Sequence, residues 1–365
     1  MVTNRHGISR DLLIHPGETI ADLLEERSLT QKELAKRSGV SEPFLSDVIR
    51  GKKDISKGLA MGLEYALGVP GSFWLNLQAN YDAELLILQE EESIRDGERT
   101  VLKSLHDVVN YLRKTAVITG STDEQTIIQL RKHLRVSSLS VLRELAPAGA
   151  FRMSESAPIN PDVLGAWLCL CKLHGQDTNT AQIFDKAKTD LLVNDLKDIM
   201  CSMKGDPQRV LKSLFARYGI DFTVMHNFRG APVQGYIERK ENGSYLMVTT
   251  LRGAYADIFW FSLFHELGHI VNGDLNKQAS YVDAADSSDR DRENAADQFA
   301  CDALIHPEDY SAFVKNGSFS LSSINEFAKN QNVPAYIVIG RLQKETIIPW
   351  SRFANRKPRY KWAEQ

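Results

Sequence analysis

The sequence predicts a mainly α chain with a small sheet, an α+β organisation in three parts. Three observations predict it. Near the N-terminus two short helical stretches meet at a glycine turn. Far downstream, two strand-like runs precede an apolar helix that ends in His265-Glu266-Leu-Gly-His269. The chain between them repeats apolar residues at three- and four-residue spacing. At roughly 150 residues per domain, 365 residues make two or three units. The parts are 11–85, 86–205 and 206–365.

Composition sets outer bounds. The 25% charged and 43% hydrophobic content is that of an ordinary globular chain. No run of about 18 apolar residues marks a membrane span, and Met1-Val-Thr-Asn-Arg-His lacks a following apolar stretch for secretion. Cys169, Cys171, Cys201 and Cys301 form no Cys-x-x-Cys pair, so they read as reduced thiols of a cytoplasmic protein.

In the first part, Thr30-Gln-Lys-Glu33 reads as a capping box, with Thr30 as N-cap and Glu33 reaching back. It opens a helix over Gln31–Arg37. Gly39-Val40 turns the chain, Ser41 caps a second helix that tolerates Pro43 in its first turn, and Gly51 stops it after Arg50. Leu45, Val48 and Ile49 face inward. Two short helices joined this way form a helix-turn-helix, whose second helix enters the major groove of double-stranded DNA.

Charge supports this locally. The whole chain carries −3, yet Arg27–Lys57 holds eight basic residues against four acids, a net +4. The preceding acids Glu18, Asp22, Glu25 and Glu26 confine the positive potential to one edge, which suits phosphate contact. Gln31, Arg50, Lys52 and Lys53 are the expected phosphate contacts, and Glu42, Phe44, Ser46 and Asp47 the residues facing bases. The alternatives are solvated acids and a Phe44 packed within its own domain.

His15-Pro-Gly-Glu18, Leu29-Thr-Gln-Lys-Glu-Leu-Ala35, Leu45-Ser46, Gly51-Lys-Lys and Phe73-Trp-Leu-Asn-Leu-Gln78 with Tyr81 resemble the HigA-type antitoxins of the Xre/Cro repressor group over about residues 11–85. The resemblance implies a five-helix DNA-binding domain acting as a homodimer on an operator, with a toxin as partner. Glu42 and Asp47 depart from a purely basic recognition helix.

The middle part reads as helices at Ala83–Leu88, Thr100–Arg113, Asp123–Leu134, Ser138–Leu145, Val163–Lys172, Thr180–Leu192 and Asn194–Met203. Loops fall at Ala146–Gly149 and Ser156–Pro161. A helical spacer without chemistry is expected here.

The third part begins with a helix over Pro207–Tyr218, ended by Gly219, and a strand at Asp221–Val224. Gly235–Arg239 and Tyr245–Thr250 flank Asn242-Gly243 as a hairpin. The apolar helix follows, entered through Asp257 as N-cap. Its His265 and His269 stand about 40° apart on one face and can hold one Zn²⁺, while Glu266 projects at the edge of that face as a general base. Gly268 admits the close approach of another segment. A catalytic zinc takes three protein ligands. The charged run Asp289–Glu293 opens another helix, and Glu293 and Asp297 share its face at i, i+4. Glu293 is the expected third ligand. Asp297 is expected to accept from a ligating histidine and orient its ring. His306 and Tyr281 are open options for an oxyanion donor.

A small sheet before such a helix is the arrangement of a zincin-like fold. Asp257-Ile-Phe-Trp-Phe-Ser-Leu-Phe-His-Glu-Leu-Gly-His, Glu293-Asn-Ala-Ala-Asp297-Gln-Phe-Ala and Ile305-His-Pro307 resemble the ImmA/IrrE family of metallopeptidases over about residues 206–345. The resemblance implies a gluzincin-like zinc site and, as protein substrate, a helix-turn-helix repressor. Helices at Ile324–Gln331 and Ala335–Leu342 complete the part, and the basic aromatic tail Arg356–Trp362 is expected to dock onto it. Together these features describe a DNA-binding regulator with a zinc-dependent peptidase that cuts a repressor, a toxin or itself. The alternative is an antitoxin or autorepressor whose zinc domain senses a partner without turnover.

Overall fold

The computed structural model describes residues 13–146, 159–177, 180, 182–202, 206–251, 255–276, 280–282 and 290–362. The expected loops at 147–149 and 156–158 and the lead-in Asp289 lie outside the described residues. Contacts along the chain divide it into two units. One holds Met1–Asp96 with Ser121–Ile128, the other Gly97–Gly120 with Gln129–Gln365. The chain is mostly helical with one small sheet, the α+β class expected from the sequence.

Five helices lie within the Met1–Asp96 segment of the first unit: α1 (Pro16–Glu26), α2 (Gln31–Ser38), α3 (Glu42–Ile49), α4 (Lys57–Leu67) and α5 (Gly71–Glu92). Side-chain caps start four of them. His15 Nδ1, Thr30, Ser41 and Ser56 accept from the Gly17, Glu33, Phe44 and Leu59 amides. Glu33 does not reach back to Thr30; its carboxylate pairs with Arg37 one turn on, so only half of the capping box forms. Gly39 holds φ at 72°, a left-handed turn where a side chain would be strained. Ile20, Leu34, Leu45, Val48, Leu63 and Trp74 form the core, with Ile49 only half-buried. Gln78 Oε1 accepts from the Ile55 amide at 2.9 Å, fixing the loop after α3 from α5.

Helices α6 (Asp96–Ser104) and α7 (His106–Lys114) replace the single helix expected over Thr100–Arg113, breaking at Leu105. Then come α8 (Asp123–Leu134), α9 (Leu142–Leu145), α10 (Pro161–Asp177) and α11 (Thr189–Ser202). Residues 182–185 are not helical, contrary to the expected Thr180–Leu192 helix. Local side chains divert the backbone there. Thr180 Oγ1 accepts from the Gln182 amide at 3.3 Å, and Asp185 Oδ1 accepts from the Ala187 amide at 3.0 Å.

The sheet of the second unit follows α12 (Pro207–Arg217). Strands β1 (Ile220–Met225), β2 (Gly235–Arg239), β3 (Tyr245–Thr250) and β4 (Ser280–Val282) lie in the order β1-β3-β2-β4. β1 runs parallel to β3, and β2 pairs antiparallel with β3 and β4. The Asn242-Gly243 turn links β2 to β3, with Gly243 at φ 83°. Helix α13 (Ala256–Asn272) packs on this sheet with α14 (Arg290–Leu304) beside it. Helices α15 (Pro307–Asn316), α16 (Leu321–Asn330) and α17 (Ala335–Lys344) complete the unit. The core joins Phe215, Phe222, Met247, Trp260, Phe264, Ile324 and Val338. Trp167 of α10 is fully buried and donates to His226 O at 3.0 Å, so the segment read as a spacer helps build this unit.

Asp257 is not the N-cap of α13. It lies in the first turn, buried, and accepts from Lys357 Nζ at 2.7 Å. The free Ala256 amide instead donates to Pro358 O at 2.9 Å, so the C-terminal tail closes the helix end. Tyr360 accepts from Trp260 Nε1 at 3.0 Å, and Trp362 stacks on His226 with ring centroids 3.8 Å apart. The tail is docked, as expected of it.

Candidate metal centre and helix-turn-helix domain

Nearly every side of α13 is buried, because the sheet covers one face and α14 another. Gly268 makes the second contact close. A Cβ there would stand 3.1 Å from Ala296 Cα of α14. This approach brings Glu293 over the two histidines. His265 Nε2 and His269 Nε2 lie 3.1 Å apart, and Glu293 carboxylate oxygens lie 3.2 Å from the first and 3.7 Å from the second. The three ligand atoms fall within 4.8 Å of one another.

The outer nitrogens of both rings are engaged. His265 Nδ1 meets Asp297 Oδ1 and His269 Nδ1 meets Asp274 Oδ2, each at 2.8 Å. A carboxylate at Nδ1 keeps the proton on that nitrogen and turns the Nε2 lone pair inward. Two lone pairs and a carboxylate then converge, an arrangement that repels itself unless a cation sits among them. The donor set, two imidazoles and one carboxylate, fits Zn²⁺. Burial holds His269 below its ordinary pKa against the opposing pull of Asp274, which favours the neutral ring that a metal requires. Burial pushes Asp297 upward, but the His265 hydrogen bond and nearby Lys344 outweigh it and keep the carboxyl low.

Asp274 was not singled out from sequence. A signal existed, since it is the first acid after Gly273, which ends α13. Glu266 is fully buried, and β2 begins against it. A Cβ on Gly235 would fall 1.9 Å from Glu266 Oε1.

A cleft of about 610 Å³ opens beside the centre. His265, Glu293 and Asp297 line it, with Gln234, Ser262 and the apolar Phe261, Leu304 and Ile337. Lys344 stands in its wall, 3.5 Å from Asp297 and 3.9 Å above the Phe261 ring. His306 is exposed and is not among the lining residues. The Tyr281 side chain lies outside the described ones.

In the first unit, Gln31, Glu42, Arg50, Lys52 and Lys53 are exposed, while Phe44, Ser46 and Asp47 are half-buried. Asp47 and Lys53 pair at 3.0 Å, and the Lys53 ammonium sits 5.2 Å above the Phe44 ring. The Lys53 hydrogen bond holds the Asp47 carboxyl below its usual range. Phe44 packs against the domain core, so its packed alternative is met in part. Lys53 also offsets one of the two acids in the recognition helix.

Residues 20–74 match the family described as Helix-turn-helix. A curated relative, virulence-associated protein A' of Dichelobacter nodosus, is 35% identical over 82 residues, 22% of this chain and 71% of that protein. The chain belongs to the helix-turn-helix family. Among solved structures, the Pseudomonas aeruginosa antitoxin HigA with higBA promoter is 31% identical, covering 23% of this chain and 96% of that one, with a TM-score of 0.21. An addiction module antidote protein of a HigA family from Coxiella burnetii is 26% identical over 22% of this chain and 95% of that one, also with a TM-score of 0.21. No helix among the described residues of this helix-turn-helix protein is long and apolar enough to cross a membrane.

Proposed function

We propose that this helix-turn-helix protein is a DNA-binding transcriptional regulator that carries a zinc-dependent metallopeptidase and cuts a regulatory protein, or itself, in response to a signal in the cytoplasm. The observation that carries the enzymatic half is the convergence of His265, His269 and Glu293 beside a fully buried Glu266. His265, His269 and Glu293 hold the zinc, and Asp297 and Asp274 orient the rings. When bound, zinc supplies Lewis acidity to the peptide carbonyl and makes water a better nucleophile. Glu266 takes a proton from the attacking water and returns it to the leaving amide nitrogen. Gly235 walls that carboxylate on the sheet side, where its Cα leaves no room for another side chain.

The regulatory half rests on the family match and on the exposed basic edge of Arg50, Lys52 and Lys53. These residues hold phosphates, and α3 presents Glu42 and Ser46 to bases. Binding as a homodimer on an operator belongs to this reading.

The test uses the full chain. Purified protein is analysed for zinc, then incubated with zinc and candidate repressor proteins. Stoichiometric zinc and a cleavage that Glu266→Gln abolishes support the proposal. Operator binding with zinc but without cleavage leaves the antitoxin or autorepressor alternative, and a chain that takes up no zinc removes the peptidase.

A further inference from the structure

Peptide hydrolysis needs a donor for the negative charge that develops on the carbonyl oxygen, and the cleft is lined by one side-chain amide beside His265 and Glu293, that of Gln234. Gln234 immediately precedes β2. Its neighbour Gly235 presses against the Glu266 carboxylate, and consecutive Cα atoms stand about 3.8 Å apart, so Gln234 lies next to the general base. Its side chain is fixed from one side. Ser262 Oγ donates to Gln234 Oε1 at 3.0 Å, which turns the Nε2 amide group away from α13 and leaves it without a partner among the described residues. Ser262 is itself buried and stands one helical turn before Glu266, on the same face. Gln234, Ser262, His265 and Glu293 line the same cleft.

We propose that the Gln234 side-chain amide binds the carbonyl oxygen of the peptide bond being cut, with Ser262 as the residue that positions it. The proposal rests on the metallopeptidase reading. As water adds to the carbonyl carbon, the π electron pair moves onto oxygen, and Gln234 Nε2–H donates a hydrogen bond to that oxygen. The pair returns when the C–N bond breaks, and the amide nitrogen departs with the proton carried by Glu266. Gln234 gives up no proton. An exposed residue held by a buried hydroxyl suits this role, because it is preorganised yet open to the substrate.

The probe is a phosphinic pseudopeptide, Phe-ψ[PO2-CH2]-Leu-Ala, whose tetrahedral anion mimics the addition step and whose apolar side chains suit a cleft walled by Phe261, Leu304 and Ile337. Its binding to zinc-loaded full-length protein is measured by calorimetry, and zinc affinity is measured in parallel. Gln234→Ala is expected to weaken the probe about 100-fold, the usual effect of removing one such donor, with zinc affinity unchanged. Ser262→Ala is expected to weaken it less, and Ser262→Thr to restore it. Equal binding by the wild type and a zinc-loaded Gln234→Ala overturns the proposal and leaves the peptidase reading standing. A wild type that binds neither zinc nor probe overturns both.

Discussion

His269 Nδ1 lies 2.8 Å from Asp274 Oδ2, one residue past the glycine that ends the helix. The same distance separates His265 Nδ1 from Asp297 Oδ1, so each histidine has its own carboxylate. The two differ in surroundings. Asp274 is largely shielded with 11% of its side chain exposed, whereas Asp297 is 45% exposed and shared with Lys344. Replacing either by Asn is expected to lower zinc affinity about 10- to 100-fold, with Asp274→Asn the more severe. Competition with a chromophoric chelator measures this. Affinities equal to the wild type would show that neither carboxylate orients its ring.

Glu266 and Glu293 are expected to separate zinc binding from chemistry. Glu293→Ala should lose stoichiometric zinc, while Glu266→Gln should keep it and lose hydrolysis.

Gly235→Ala tests the same base without touching it. The added methyl would lie 1.9 Å from Glu266 Oε1, and the strand register with Thr249 leaves the backbone little freedom to withdraw. Overpacking of this kind costs about 1–3 kcal/mol. A lower urea midpoint, retained zinc and lost cleavage are expected. An active Gly235→Ala enzyme would show that the carboxylate need not stay where the glycine leaves it.

On the DNA side, Arg50→Ala and Lys52→Ala are each expected to weaken operator binding and to reduce its salt slope by about one. Asp47→Ala should act in the opposite direction. It releases Lys53 from a 3.0 Å ion pair, so affinity at low salt should rise. Anisotropy titrations over a salt series decide this, and unchanged slopes in all three variants would remove these residues from the interface.

What could be read from the sequence depended on how local the cause was. The helix-turn-helix caps sit within three residues of the amides they bind, and Thr30 and Ser41 were legible for that reason. His265 and His269 are one helical turn apart, so their shared face follows from helical pitch alone. The assignment of Asp257 as a cap failed because its partner, Lys357, is 100 residues away. Asp274 was missed because the chain had to end α13 at Gly273 before that side chain could turn back. Helix α15 carried visible signals in Pro307, Glu308, Asp309 and Gly317, and these went unread.

The docked tail gives a prediction about pH. His226 is stacked under Trp362, ring centroid 4.6 Å from Tyr111, and faces Lys114. Burial, helped by the Lys114 charge, holds its pKa below the ordinary value of about 6.5. In the unfolded chain the ring takes up a proton as pH falls below about 6.5, while in the folded chain it resists until its lower pKa is reached. The unfolded state therefore binds more protons in that window, and stability must fall as pH falls. The contribution is complete above about 6.5 and is lost as pH drops through the folded value. Trp362→Ala removes the stacking ring and admits water to the imidazole, so it should destabilise the protein at pH 8 and flatten the decline between pH 7 and pH 5. Urea unfolding of both proteins across that range measures the difference. Parallel curves, offset by a constant amount, would show that the tail contributes packing alone and leaves the His226 titration untouched.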